Sequence, residues 1–467
     1  MVFAFSVCGT IFAQEAEVVA NNEEKSDVIK LSLEDAVDYA LKNSRTLKSN
    51  DIDLEMKKRA SSNSWNVFLP NVTVSGTMAR ANEYNPSGLA STMAIAKFHP
   101  EVLANGIKTD FDKEEERWNT VGTVNASWAF SVKMIAAIKK AQLDYEGGKI
   151  TWEKSQKETI LSIKKLYYGL VLQQENLKIQ KATLENARQR YFQAQTNFKN
   201  GLVPEIMLLQ NQVNYENTKP TVESAEQEFY QTLDTLAFLI GYPVGTKLEL
   251  TSEIEPVYVD ADTEVLLSKY GNNDLNMKSL QNNIDLIKTN KSLLGASTWL
   301  PALSVSYGWI PAYIGSEGAW HFTGDIGKDE AWYDSGKLSL TLAWNITDML
   351  PWSSNRQQIK DLNQNLAKLE LTMETLKENQ KVEVRKAVNT LNQAKQQIDA
   401  MGRTVQVAQK AYEMQAKSYR NGTTELLDLR DSEKSYNEAK LGLLSKKMTY
   451  ISALLDLENT LNTTLTK

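Results

Sequence analysis

Two aspartates three residues apart, Asp428 and Asp431, form the best-defined charged pair in the sequence. That spacing puts both carboxylates on one face of a helix. They stand just past an Asn421-Gly422 turn signal, near the start of a helix, where acidic side chains favour the macrodipole or simply solvate it. Were copies of the chain gathered around one axis, the same carboxylates would stack as rings that attract cations and repel anions. Spacing alone supports both readings. Enzyme chemistry fails on inventory: there is no Gly-x-Ser-x-Gly, no His-Glu-x-x-His and no phosphate-binding loop. Gly147-Gly148-Lys149 lacks the preceding spacing of a P-loop, and His99 and His321 are isolated. Cys8 is the single cysteine, which allows neither an intrachain disulfide nor a multi-cysteine metal site. Glu34 and Asp35 read as first-turn acids of a short helix after Ser32. No catalytic, cofactor-binding or metal-ligating set is expected, and no cofactor.

The elements that would position the aspartates follow from composition and repetition. The chain has 467 residues, 42% hydrophobic and 24% charged, with a net charge of −6. These are globular proportions, which exclude wholesale disorder. The scattered charge also argues against nucleic acid, whose affinity needs clustered basic residues. No stretch reaches the roughly 18 apolar residues of a membrane helix. Met1 to Ala13 reads as a secretory signal peptide with a small residue at the cleavage position, although no Lys or Arg precedes its apolar run. Lipidation at Cys8 is the second reading, and Phe5-Ser6-Val7 lacks the small residue expected beside a lipid-bearing cysteine.

The chain says most things twice. IDLEMKKRASSNSWNVFLP (Ile52 to Pro70) recurs as IDLIKTNKSLLGASTWLP (Ile284 to Pro301). YFQAQTNFKNG, ending at Gly201, recurs as YEMQAKSYRNG, ending at Gly422, and each is followed by a tyrosine and a lysine, Tyr215 and Lys219, Tyr436 and Lys440. Residues 14–262 and 263–467 therefore read as two copies of one unit. Ile163, Leu170, Leu177, Leu184, Tyr191 and Phe198 are spaced by seven, as are Val384, Leu391, Ile398, Val405, Tyr412 and Tyr419. A strict seven-residue repeat keeps one apolar seam against a partner helix. Each copy should hold a long antiparallel hairpin, the first helix from about Lys133 to Asn200, with tips at 200–202 and 421–423. Returning helices are expected over Glu205 to Ile240 and Glu425 to Leu461. Pro204 should open the first of these, and Pro220 should kink it or interrupt its ladder.

Four segments, about 71–80, 120–130, 302–310 and 337–346, alternate apolar with small polar residues. Such ten-residue strands suit an outer membrane, with lipid on one side and water on the other. A soluble sandwich with one wet face would alternate similarly. Four strands cannot close a barrel, and an open edge is forbidden in lipid, so an exported chain must pool strands with its own copies. Trp128, Tyr307, Trp309 and Trp344 cluster near strand ends as an aromatic girdle would. The connections of about Arg80 to Asn119 and Ile310 to Ser335 are too long for hairpin turns and are expected at the cell surface.

With these features in place, the chain resembles the TolC family of outer-membrane efflux and secretion channels. The resemblance rests on the duplicated helix–strand–strand–helix unit, on LSLEDAVDYALKNS (Leu31 to Ser44) and on the two tips. It implies a mainly α fold with a membrane β-barrel part: long coiled-coil helices form an α-barrel, and four strands per chain join a trimeric twelve-stranded β-barrel. It implies a passive exit duct of a tripartite efflux pump or type I secretion system, with outer-membrane lipid, a periplasmic adaptor protein and an inner-membrane transporter as partners. The tips Asn200, Gly201, Leu202 and Asn421, Gly422, Thr423 would meet the adaptor. Asp428, Asp431 and Tyr419 would form the periplasmic gate. The family's usual latch partners of Tyr419 are replaced here by Met207 and Thr424, which makes Arg430 and Glu425 the candidates for a substitute. The competing class is a secreted or surface-attached trimeric coiled-coil protein with a structural or adhesive role, soluble without detergent.

Overall fold

The computed structural model describes residues 28–80, 118–313, 332–334 and 336–466. The expected signal segment, Cys8, His99, His321 and most of the two long connections lie outside them. The first copy contains β1 (Ile29–Leu31), α1 (Leu33–Asn43), α2 (Arg45–Ser62), β2 (Asn71–Arg80), β3 (Trp118–Phe130), α3 (Val132–Lys199), α4 (Glu205–Ile240) and β4 (Leu248–Leu250). The second contains α5 (Thr263–Tyr270), α6 (Leu275–Trp299), β5 (Ala302–Trp309), β6 (Pro311–Tyr313), β7 (Trp332–Asp334), β8 (Lys337–Ala343), α7 (Ser354–Arg420) and α8 (Leu426–Thr460). The fold is mainly α and built from a duplicated unit. Its compact units cut across the repeat: one takes 28–51, 152–274 and 378–466, the other the described residues within 52–151 and 275–377.

In the first unit the seven-residue seams become two cores. Ile163, Leu170 and Leu177 of α3 are buried, as are Val384, Leu391 and Ile398 of α7. Leu233, Leu236 and Ile240 of α4 close the first core, and Leu454, Leu457 and Leu461 the second. Every one of these residues has its counterpart 221 positions on. Pro220 does not end α4, which runs unbroken through it. The flanking hydroxyls of Thr218 and Thr221 donate to the carbonyls of Asn214 and Asn217.

Sequence periodicity gave no sign of β1 and β4, which pair in parallel, Ile29 with Leu248 and Leu31 with Leu250. Buried Tyr167 of α3 ties this pair to the long helix: its hydroxyl donates to the Leu31 carbonyl at 2.7 Å and accepts from the Ser252 N–H at 3.1 Å. The capping box of α1 starts the same layer. Ser32 Oγ accepts from the Asp35 N–H at 3.1 Å, and the Asp35 carboxylate accepts from the Ser32 N–H at 3.4 Å.

In the second unit four antiparallel strands lie in the order β2–β3–β5–β8. Register aligns the alternating residues, so that Val72, Ala126, Tyr307 and Leu338 form one row, and Val74, Val124 and Trp309 the next. One face is thus continuously apolar; the other carries Thr73, Asn125, Ser306 and Ser339. Val74, Leu338, Leu340 and Leu342 are exposed on the apolar face. β3 begins two residues earlier than expected. β8 stops at Ala343, short of the expected 346, and a 3-10 turn over Ile346–Met349 follows. Inside the connection read as a surface loop, β6 and β7 pair with each other, and β6 also adds to β3 through Val121 and Ala312.

The glycines that resembled a phosphate loop serve helix packing instead. A Cβ on Gly147 would stand 2.5 Å from Asn282 Nδ2 of α6, and one on Gly148 would stand 2.7 Å from Lys57 Cδ of α2.

Tyr167→Phe should destabilise the chain by about 1–3 kcal/mol, because it strands a carbonyl and an N–H away from water. Guanidinium denaturation in detergent measures this, with Ser162→Ala, an exposed hydroxyl, as the near-neutral control.

Candidate functional site

Each tip is closed by a glycine in the left-handed region, Gly201 at φ 70° and Gly422 at φ 72°. Leu202 N–H donates to the Asn197 carbonyl at 2.8 Å, and Thr423 N–H to the Ser418 carbonyl at 3.0 Å. These are the six-to-one bonds of a Schellman closure, which needs a residue with no penalty at positive φ. Pro204 sits one residue before the first turn of α4 rather than inside it, as the cap. Asn200, Gly201, Leu202, Asn421, Gly422 and Thr423 are all exposed, Leu202 to 72%. Trp128 and Trp344 stand at the helix-proximal end of the sheet. Tyr307 and Trp309 face Ala126 and Val124, level with the middle of β3.

Asp428 lies in the first turn of α8 and Asp431 one turn on. Both are exposed, whereas Leu429 and Glu433 on the other side of the helix are buried. Neither aspartate has a hydrogen-bonding or ionic partner among the described residues. Tyr419 is half-buried, and its carbonyl accepts from the Gly422 N–H at 3.0 Å. Thr424 Oγ1 accepts from Gln415 Nε2 at 3.4 Å. Arg430 and Glu425 are exposed and form no ion pair with each other among the described residues.

A contact that sequence reading missed stands eleven residues from each tip glycine. Arg190 of α3 and Glu433 of α8 form an ion pair at 2.7 Å, with side chains only 12% and 8% exposed. Asn186 Nδ2 donates to the other Glu433 oxygen at 2.6 Å, so the carboxylate is satisfied at both ends. The Tyr412 phenol beside it is pushed above its ordinary pKa, first by burial and then by the Glu433 charge. The partners are 243 residues apart and have no equivalents at the 221-residue offset, so no repeat signal marks them. The repeated tyrosines and lysines do have a shared purpose. Tyr191 stacks on Tyr215 at 5.9 Å and Tyr412 on Tyr436 at 5.9 Å. Lys219 and Lys440 sit over Tyr215 and Tyr436 at 4.3 and 5.7 Å. Together these contacts order the helices α4–α3–α8–α7, and α4 and α7 are left as the two outer members. Ile206, Leu209 and Val213 of α4 are exposed at helical spacing, as are Val407 and Met414 of α7.

Glu433→Ala should cost about 3–5 kcal/mol, since it leaves Arg190 buried and unpaired, whereas Arg190→Met with Glu433→Leu should return close to wild type. Denaturation of the two variants in the same detergent compares them.

A family model described as outer membrane efflux protein matches residues 36–242 and again 268–463. The two matches fall on the two copies of the repeat. Among solved structures, the Campylobacter jejuni CmeC outer membrane channel is similar at TM-score 0.70 and 17% identity, over 92% of this chain and 85% of that one. The open-state Neisseria gonorrhoeae MtrE outer membrane channel gives 0.65 and 16%, over 93% and 89%. The outer membrane protein VceC from Vibrio cholerae gives 0.65 and 14%, over 93% and 97%. No curated protein sequence matches. The duplicated match spans most of the chain, and with it this chain belongs to the outer membrane efflux protein family and resides in the outer membrane.

Proposed function

We propose that this chain is the outer-membrane exit duct of a tripartite efflux pump or type I secretion system, a passive trimeric channel opened by its adaptor and inner-membrane transporter. The observation that carries this reading is the pair of open edges. Among the described residues β2 pairs only with β3, and β8 only with β5, which leaves an outer edge at both ends of the sheet. Hydrocarbon tolerates no free edge. Joining β8 of one copy to β2 of the next satisfies both, and three copies give twelve strands, an even number in the range of such barrels. The helical rows close the same way, with the apolar stripe of α4 covered by that of α7 from the next copy.

In that ring the Asp428 and Asp431 carboxylates form two stacked triads, exposed and without partners among the described residues of their own chain. Like charges held close in a narrow aperture attract cations strongly. The tip residues Asn200 to Leu202 and Asn421 to Thr423 are the surfaces left for the adaptor, and Trp128, Tyr307, Trp309 and Trp344 face the lipid. The duct breaks no bonds, and its energy comes from the inner-membrane partner.

Light scattering in detergent should give the mass of three chains, and Leu209→Asp with Met414→Asp should release monomers; a wild-type monomer contradicts the ring. In planar bilayers the wild type should give small cation-selective steps. Asp428→Asn with Asp431→Asn should reduce the cation preference severalfold and leave the trimer intact. Steps whose selectivity does not change would remove the gate assignment and keep the channel.

A further inference from the structure

The second unit carries a cationic groove that the duct does not use. α6 and α7 enclose about 760 Å³, lined by Lys288, Lys291, Trp299, Arg356, Ile359 and Leu366 among others, with Glu370 at the far end. Three cations therefore face one carboxylate. Neither lysine has an ionic or hydrogen-bonding partner among the described residues. The Arg356 guanidinium lies over the Trp299 ring, 5.2 Å from its centroid, and its Nε is buried with no hydrogen-bond partner. A buried donor of a charged group left unpaired is costly, and an incoming acceptor would relieve that cost.

Helical geometry fixes which side the groove opens on. Lys288, Lys291, Gly295 and Trp299 lie on one side of α6, whereas Asn290, Leu293, Leu294 and Ser297 line a separate hollow. At about 100° per residue the two sets point in opposite directions. The second hollow is also lined by Ala302 and Ala343, whose alternation with Leu303 and Leu342 puts them on the small-polar face of the sheet, and by Trp344 and Asn345 just past β8. The cationic groove therefore opens on the side of the apolar, lipid-facing surface. Its upper end meets the membrane boundary: α6 ends at Trp299 and β5 starts at Ala302. Trp299, Leu300 and Trp352 are exposed there, to 53%, 52% and 73%, as interfacial residues are.

We propose that this groove binds the phosphate of an anionic glycerophospholipid from the leaflet that faces the helices. Arg356 donates to the phosphate. Trp299 packs beneath the guanidinium at headgroup depth, and the acyl chains continue upward along the apolar face of β5 and β8. Lys291 and Lys288 stand about two and three turns further from the sheet and extend the positive field down the groove. The groove is thus a lipid site on the outside of the duct.

Native mass spectrometry of the full chain in detergent tests this, titrated with dioleoylphosphatidylglycerol and separately with dioleoylphosphatidylcholine. The wild type should prefer the anionic lipid by about tenfold or more. Each cation near a charged headgroup contributes about fivefold. Arg356→Gln should therefore lower the preference about fivefold, and the triple variant with Lys288→Gln and Lys291→Gln should abolish it. Lys133→Gln, in the hollow on the other side of α6, should leave it unchanged. Raising NaCl from about 50 to about 500 mM should weaken the preference in the wild type without any substitution, which covers a triple variant that fails to assemble. A preference that Arg356→Gln or high salt leaves undiminished overturns the proposal. So does complete displacement of the lipid by millimolar inorganic phosphate, which would make the groove a free-anion site. Arg356→Gln should keep the conductance steps of the wild type, so failure here and failure of the duct reading are told apart.

Discussion

Every backbone N–H and C=O placed in hydrocarbon must find a partner, and the described residues of this chain do not supply them all. Its four long strands satisfy one another internally, Asn71 to Arg80 against Trp118 to Ser127, and Val124 to Phe130 against Leu303 to Trp309. The outer edges of β2 and β8 remain. A sheet open at both ends with one continuous apolar face is incompatible with water on that face and with lipid at its edges. The rest of the architecture is consistent with assembly as the answer. Among the described residues the helical row also ends in α4 and α7, each with exposed apolar residues.

Much of this was legible because it rests on periodicity. Seven-residue spacing marked α3 to within a residue at each end and ran along the C-terminal half of α7, and period-two alternation found all four long strands. The glycines at 201 and 422 identified the tips because only a left-handed residue closes such a turn cheaply. What escaped lacks a period. β1 and β4 are three residues each and depend on the Tyr167 hydroxyl, which bridges segments 136 and 85 residues away. Arg190 and Glu433 meet only because two hairpins pack side by side.

The two copies share a frame and differ in charge, and the differences fall where function is proposed. Positions matching Asp428 and Asp431 in the first copy hold Met207 and Gln210. The first tip keeps one first-turn acid, Glu205, but not the pair of carboxylates three residues apart. The buried Arg190–Glu433 pair joins one copy to the other in the same region. Exposed ion pairs between neighbouring turns, such as Lys381 with Glu378, contribute little. A desolvated, doubly hydrogen-bonded carboxylate behaves differently. It tolerates one arrangement of its partners and strongly penalises others, which fixes the register of α8 against α3.

The same polarity argument extends past the strands into the helices that carry them. The sheet separates an apolar face from a small-polar one, and α6 continues the division below the membrane boundary. Its Asn290 and Ser297 accompany the polar face, as expected of a surface turned towards water. Bulk solvent alone on its other side would leave no buried charged donor unsatisfied. Instead it carries unpaired Lys288 and Lys291 and faces an arginine with a buried, unsatisfied nitrogen stacked on a tryptophan. Arranging charge this way is unfavourable unless an anion shares the site. A membrane supplies anions at one depth only, the headgroup layer, and the proposed lipid site sets that layer where the sequence changes from helix to strand.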